Sequence, residues 1–184
     1  MTDEQFNRAM ERLREKDKQA LKEIYEAYIG FIYRVIFDIL KSREAAEDIT
    51  SDFFIKLWER SGQYKPGSGH KAYLATIARN MAIDHVRKYR NEETVSGMAD
   101  EDEAPDEIGA AVSQGPTPEE QTVSDLSVEQ ALDRLKPIYR QIVTMKVLGD
   151  MTFKEIAFAL DMPMGTVTWN YQDAIKQLRR YGYD

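Results

Sequence analysis

Cysteine is missing altogether from this 184-residue chain, which excludes disulfide frames, thiolate zinc sites and cysteine nucleophiles. Histidine is nearly missing. His70 and His85 are the only two, and neither has a second ligand one helical step away, so no metal is expected. The run Pro66-Gly67-Ser68-Gly69 lacks the Gly-Lys-Ser/Thr ending of a phosphate loop. No nucleophile–base pair is visible, so no residue is assigned as catalytic, no cofactor is implied and an enzyme is not expected. Apolar runs are too short to cross a bilayer, and the start MTDEQFNRAMERLREKDK is charged throughout, unlike an export signal. These absences point to a cytoplasmic protein with no membrane insertion. Strand alternation and internal repeats are also lacking, which leaves an all-α chain.

Positive charge is what one particular stretch lacks. The whole chain carries a net charge of −7, which argues against a nucleic-acid partner until its distribution is followed. Ten acids and no Lys or Arg fall within 91–122, so the remainder carries +3. That stretch is also rich in Gly, Pro, Ser and Ala, and too poor in large apolar residues to offset the entropy of ordering. It reads as a flexible acidic linker, its ends about 30 Å apart on average. Two small helical domains, 1–90 and 123–184, flank it.

Within the first domain, Leu21, Ile24, Tyr25, Tyr28, Ile32, Val35, Ile36 and Ile39 recur at helical steps. Ser42 suits the N-cap of a second helix burying Ala46, Ile49, Phe53 and Leu57. Its Asp48, Asp52, Lys56 and Glu59 share an exposed side, while Phe54 and Trp58 fit either a core or a protein-docking surface. Ser61–Gly69 is a loop by composition. A third helix, about His70–Tyr89, buries Leu74, Ile77, Ala78 and Met81. Its polar side gathers Arg79, Asn80, Asp84, Arg87, Lys88 and Arg90, with Tyr73 and Tyr89 near the ends. Such a face suits a nucleic-acid strand, cations on phosphates and aromatics on unpaired bases. A solvated face with an Asp84–Arg87 pair is the alternative.

In the second domain, 126–135 and 137–147 read as helices, with Pro137 at a first helical position and Gly149 just past an end. Thr152 and Glu155 have capping-box spacing. Ile156, Ala157 and Leu160 follow at helical steps, and Asp161-Met162-Pro163 stops that helix. Val167, Tyr171, Ala174, Ile175 and Leu178 then define the buried face of another. This is a helix-turn-helix pattern, and periodicity alone leaves a plain helical hairpin and a DNA reader both open.

Three segments in this order resemble the extracytoplasmic-function group of bacterial sigma factors. AAEDITSDFFIKLW is similar to that family's helix for docking on core RNA polymerase. KAYLATIARNMAIDHVRKYR is similar to its promoter-melting and minus-ten helix. LKPIYRQIVTMKVLGDMTFKEIAFALDMPMGTV is similar to its minus-thirty-five domain. The resemblance covers nearly all of both domains and implies a factor that binds core RNA polymerase, directs it to promoter DNA and opens the duplex. An anti-sigma factor is a further candidate partner. By position it assigns Asp48, Ser51, Asp52, Ile55, Lys56 and Trp58 to core binding, with Ser51 standing where a glutamine is common. It assigns Gln63, Tyr64, Lys65, Tyr73, Arg79, Asn80, Asp84, Arg87 and Lys88 to minus-ten DNA. The Gln63–Gly69 loop matches one that captures a flipped base, and Tyr73 stands where a tryptophan is usual.

The helix after Gly165-Thr166-Val167 departs from the family, which usually carries several cations there. Thr166, Thr168, Trp169, Asn170, Gln172, Asp173 and Lys176 span its expected groove-facing turns, and Lys176 alone among them is basic. Asp173 would repel phosphates there unless it accepts from cytosine. Two alternatives stay open. One is a helix-turn-helix regulator that acts without polymerase, and the other is a sigma-like module that binds proteins rather than DNA.

Overall fold

The computed structural model describes residues 1–67, 69–95 and 129–181, with side chains through Asn91 in the second stretch. Residues 96–128 lie outside the described residues, and with them the expected 91–122 linker from residue 96 on; its first residues, 91–95, are helical rather than linker. Seven helices follow one another: α1 (Asp3–Arg14), α2 (Lys18–Leu40), α3 (Arg43–Glu59), α4 (His70–Val95), α5 (Pro137–Val147), α6 (Phe153–Leu160) and α7 (Met164–Arg180). A short 3₁₀ turn, Ser61–Gln63, lies between α3 and α4, and 129–133 form a helical turn before α5. No strand occurs among the described residues.

Local chemistry sets most helix starts. Ser42 accepts from the Ala45 amide and caps α3. Thr2 with Gln5, and Thr152 with Glu155, form reciprocal capping boxes for α1 and α6. Pro137 opens α5, where a missing amide proton costs nothing. Helix α6 ends on Asp161 in the left-handed region (φ 53°), a geometry a short polar side chain tolerates. Helix α4 runs to Val95, beyond the end near Tyr89 read from its apolar pattern.

Helix α2 is the central post. It packs on α1, α3 and α4 on one side and on α5 on the other, while α6 rests on α4. One apolar core runs through both helical units, from Phe6, Leu13, Ile24, Ile32, Phe53 and Leu74 to Met145, Ile156 and Val167. Burying each such side chain contributes about 1.5–3 kcal/mol. Every residue of α5 from Tyr139 to Met145 is buried, since α2 and α7 cover opposite sides of it. Gly149 makes the contact close. A Cβ there would lie 2.7 Å from the Phe31 ring of α2 and 2.5 Å from the Met145 carbonyl oxygen.

Polar groups bridge the same seam. Asp38 is buried, accepts from the Thr144 hydroxyl at 2.5 Å and pairs with Arg34 at 3.2 Å. Arg34 also reaches Glu129 at 2.7 Å, and Lys41 reaches Asp133 at 2.7 Å. Burial raises the Asp38 carboxyl above its ordinary value, against the pull of Arg34 and the Thr144 hydrogen bond. Buried Arg140 donates to the Leu132 and Leu135 carbonyls at 3.0 and 3.2 Å, satisfying the end of the 129–133 turn.

Candidate polymerase and nucleic-acid interface

Helix α3 buries one side and exposes the other, with Thr50 on the buried side and Ile55 on the exposed one. Phe53, Phe54 and Leu57 are buried, and Asp48, Ser51, Asp52 and Ile55 are exposed on the opposite side. Ile55, an apolar residue among carboxylates, is 55% exposed. Lys56 is half-buried at its margin. Phe54 belongs to the core, its ring 5.1 Å from Phe53 and 4.8 Å from Tyr25. Trp58 is half-covered: the Lys16 ammonium lies 5.1 Å over its ring and donates to its carbonyl at 3.0 Å.

The α4 region holds two of the expected groups and turns three residues elsewhere. Asn80, Asp84, Arg87 and Lys88 form one exposed stripe at three- and four-residue steps. Asp84 and Arg87 approach to 4.0 Å, both well exposed, so screening by water leaves the Arg87 charge available. Gln63 and Lys65 are exposed in the preceding loop. Tyr64, expected to meet DNA, is instead 4% exposed. Its hydroxyl donates to Asn7 at 2.6 Å, and its ring packs edge-on against Phe6 and Tyr73. It anchors the loop from beneath because an aromatic in a loop gains most by joining the nearby core. Tyr73 is half-buried for the same reason, and burial raises its phenol. Arg79 is also half-buried. Burial lowers its pKa, partly countered by Asp161 at the end of α6, and its Nε has no hydrogen-bond partner among the described residues.

On α7 the exposed stripe is Thr166, Trp169, Gln172 and Lys176, with Trp169 61% exposed at its centre. Two expected groove residues point away. Asn170 is 7% exposed and shares the buried face with Val167 and Ala174, three and four residues away. Asp173 is half-buried and accepts from the Gln177 amide at 2.9 Å, and its charge acts on the buried Tyr139 phenol of α5. Burial, then that carboxylate, raises the Tyr139 phenol. The carboxylate is therefore engaged along α7 itself, by the amide one turn on. Thr168 is half-buried and returns its hydroxyl to the Met164 carbonyl at 2.9 Å.

Residues outside the expected set matter as well. Asp3, Asn7 and Arg14 of α1 reach the loop ahead of α4. The Thr2/Gln5 capping box, followed by Phe6, Ala9, Met10 and Leu13, was the sequence signal for that helix. Lys71 donates to the Asp150 carbonyl at 3.1 Å, and Gly69 abuts the Glu155 carboxylate, so the α6 unit covers one flank of α4.

With this geometry in place, the comparisons are consistent from end to end. Residues 24–92 match the family described as Sigma-70 region 2, and residues 125–178 match Sigma-70, region 4. The chain belongs to the sigma-70 family of RNA polymerase sigma factors, within its extracytoplasmic-function (ECF) group. The ECF RNA polymerase sigma factor SigW of Bacillus subtilis is 25% identical over 178 residues, covering 95% of each chain. BldN of Streptomyces coelicolor, also an ECF RNA polymerase sigma factor, is 28% identical over 93% of this chain, which spans 63% of that relative's length. The fold is shared with the sigma factor RpoE of Bartonella quintana, solved in complex with the anti-sigma factor NepR. The TM-score is 0.65 at 20% identity, covering 86% of this chain and 94% of that one.

Proposed function

We propose that this protein binds core RNA polymerase, directs it to promoter DNA and helps open the duplex, without being an enzyme itself. The observation that carries the reading is the order of three exposed faces on one chain. An acidic stripe centred on Ile55 comes first, a basic and amide stripe on α4 second, and the second helix of a helix-turn-helix last. In this reading Asp48, Ser51, Asp52 and Ile55 meet the polymerase. Asn80, Gln63 and Lys65 read the melted minus-ten strand while Arg87 and Lys88 hold phosphates. Thr166, Trp169, Gln172 and Lys176 enter the duplex groove at the minus-thirty-five element. An anti-sigma factor, as in the complex of the Bartonella relative, is the natural regulator of such a protein.

The two promoter elements named by those positions lie about 25 base pairs, or roughly 85 Å, apart along B-DNA. A folded body of this length is about 40 Å across. Simultaneous reading therefore requires the α5–α7 unit to part from α2 and α4, with the linker carrying the span. Run-off transcription with purified core polymerase tests the proposal. Added protein should restore promoter-specific transcripts, and Asp52→Arg should lose core binding while keeping its helical circular-dichroism spectrum. A folded Asp52→Arg protein with unchanged core affinity would remove α3 from this role.

A second reading is favoured for α7 alone. Phe158, Met164 and Trp169 are all exposed on the helix-turn-helix, and one lysine is a thin basis for phosphate contact. Trp169→Ala that leaves promoter choice intact and abolishes capture of a protein regulator would support it.

A further inference from the structure

Helix α1 lies ahead of the stretch that matches region 2, and no step above uses it. Its Asp3, Asn7 and Arg14 stand four and seven residues apart, which places them on one helical face. That face holds both ends of the loop leading into α4. At the near end, Asn7 accepts from the Tyr64 hydroxyl at 2.6 Å. Arg14 donates to the Tyr64 carbonyl at 2.5 Å and to the Ser61 carbonyl at 3.3 Å. At the far end, Asp3 accepts from the His70 backbone amide at 3.0 Å, satisfying one of the unpaired donors at the start of α4. The same carboxylate bonds the His70 ring, whose other nitrogen meets the Tyr28 hydroxyl. Phe6 lies between the two anchors, stacked on His70 at 4.9 Å and edge-on to Tyr64 at 5.4 Å.

Between the anchors, Gly69 abuts the Glu155 carboxylate of α6. Gly67 and Gly69 adopt φ of 138° and 84°, conformations an L side chain rarely takes, so glycine supplies the turn and also the freedom to leave it. Gln63 and Lys65 project from it into solvent. A reading side chain on an unanchored loop can resettle to suit a wrong base, which shrinks the penalty for mismatch and so the discrimination between bases.

We propose that α1 is a positioning element of the minus-ten reader: Asp3, Asn7 and Arg14 clamp the loop at both ends, so that Gln63 and Lys65 meet a splayed base in one geometry. The inference rests on the reading that this loop captures a base. None of the three α1 residues touches DNA; each acts through Tyr64, Ser61 or His70.

The test uses the full chain bound to core polymerase and single-stranded oligonucleotides randomised across the minus-ten element. Its readout is the ratio of affinities for the best and worst base at each position. Gln63→Ala and Lys65→Ala first establish whether the loop discriminates. Asn7→Leu and Arg14→Met should then lower that ratio by about tenfold, the order of one base contact, with core affinity and salt dependence unchanged. Tyr64→Phe removes a single hydroxyl; it keeps the test open if either α1 variant fails to fold, and it should lower the ratio in the same direction. If the loop variants leave discrimination intact, the base-capture reading fails. If they reduce it while folded Asn7→Leu, Arg14→Met and Tyr64→Phe do not, the clamp is overturned and α1 only fills the core.

Discussion

On α4 the outward stripe carries Asn80, Asp84, Arg87 and Lys88, whereas on α7 it carries Thr166, Trp169, Gln172 and Lys176. Both helices bury one face, and each has a carboxylate engaged with a protein group. Asp3 accepts from the His70 amide at the start of α4, and Asp173 accepts from the Gln177 amide along α7. Their outer chemistry diverges. The α4 stripe offers cations that track phosphates of any sequence. The α7 stripe offers a large aromatic, a hydroxyl and an amide, groups suited to base edges, thymine methyls or a protein surface. Salt sensitivity should therefore concentrate on α4, and shape and composition should decide what α7 accepts.

The largest way to break that comparison is to part the two units that present the helices. Asp38→Ala should cost about 3 kcal/mol, since Thr144 loses its acceptor and Arg34 keeps Glu129 alone. The urea midpoint of the full chain measures it. A loss well under 1 kcal/mol would mean the buried seam contributes little to joining the units.

Asp173→Arg comes next, at about 1 kcal/mol, because the Gln177 amide would lose its acceptor and a guanidinium would replace the carboxylate near the buried Tyr139 phenol. Thermal unfolding reports this. A variant as stable as its parent, with stronger duplex binding, would return Asp173 to the groove.

Paired truncations sharpen the contrast directly. Lys88→Ala should weaken binding to every promoter strand and lower the salt slope by about one unit. Trp169→Ala should leave the slope unchanged and alter partner or sequence choice. Equal slopes for the two variants would erase the distinction between the faces.

The smallest effect is a pH dependence. Burial holds the Asp38 carboxyl above 3.8, so the folded state keeps that proton longer than the unfolded chain does. The associated stability is complete below 3.8 and is lost as pH rises through the raised value. Asp38→Asn removes this loss while still offering Thr144 an acceptor. Its stability relative to the parent should improve between about pH 3 and about pH 7. A constant difference across that range would show that Arg34 fully compensates the buried charge.

Much of this molecule was legible before folding. The all-α class, the Ser42 cap, the Thr152/Glu155 box and the turn through Asp161 to Pro163 follow from short-range rules that need no partner element. So does the α3 stripe, because Phe53 and Leu57 fix which side faces inward. Asn170 and Tyr64 were misplaced for a common reason. A polar or amphipathic side chain gives no periodic signal about burial, and its position follows the partner that satisfies it. Asn170 follows Val167 and Ala174 onto the buried face, and Tyr64 follows Asn7 and Phe6.

The sequence by itself determined the caps of α3 and α6 and the apolar stripes of the helices after α1, because caps and 3.6-residue periodicity act within a few residues; α1 and the last turn of α4 went unread. The sequence also determined that 91–122 holds ten acids and no Lys or Arg, although the first of these residues, through Val95, continue α4. Tertiary structure decided the rest. The loop before α4 is clamped by α1, 47 to 67 residues away along the chain. Asp38 meets Thr144 across 106 residues. Such pairings satisfy buried polar groups only once the helices have packed, and no local pattern encodes which distant donor will arrive.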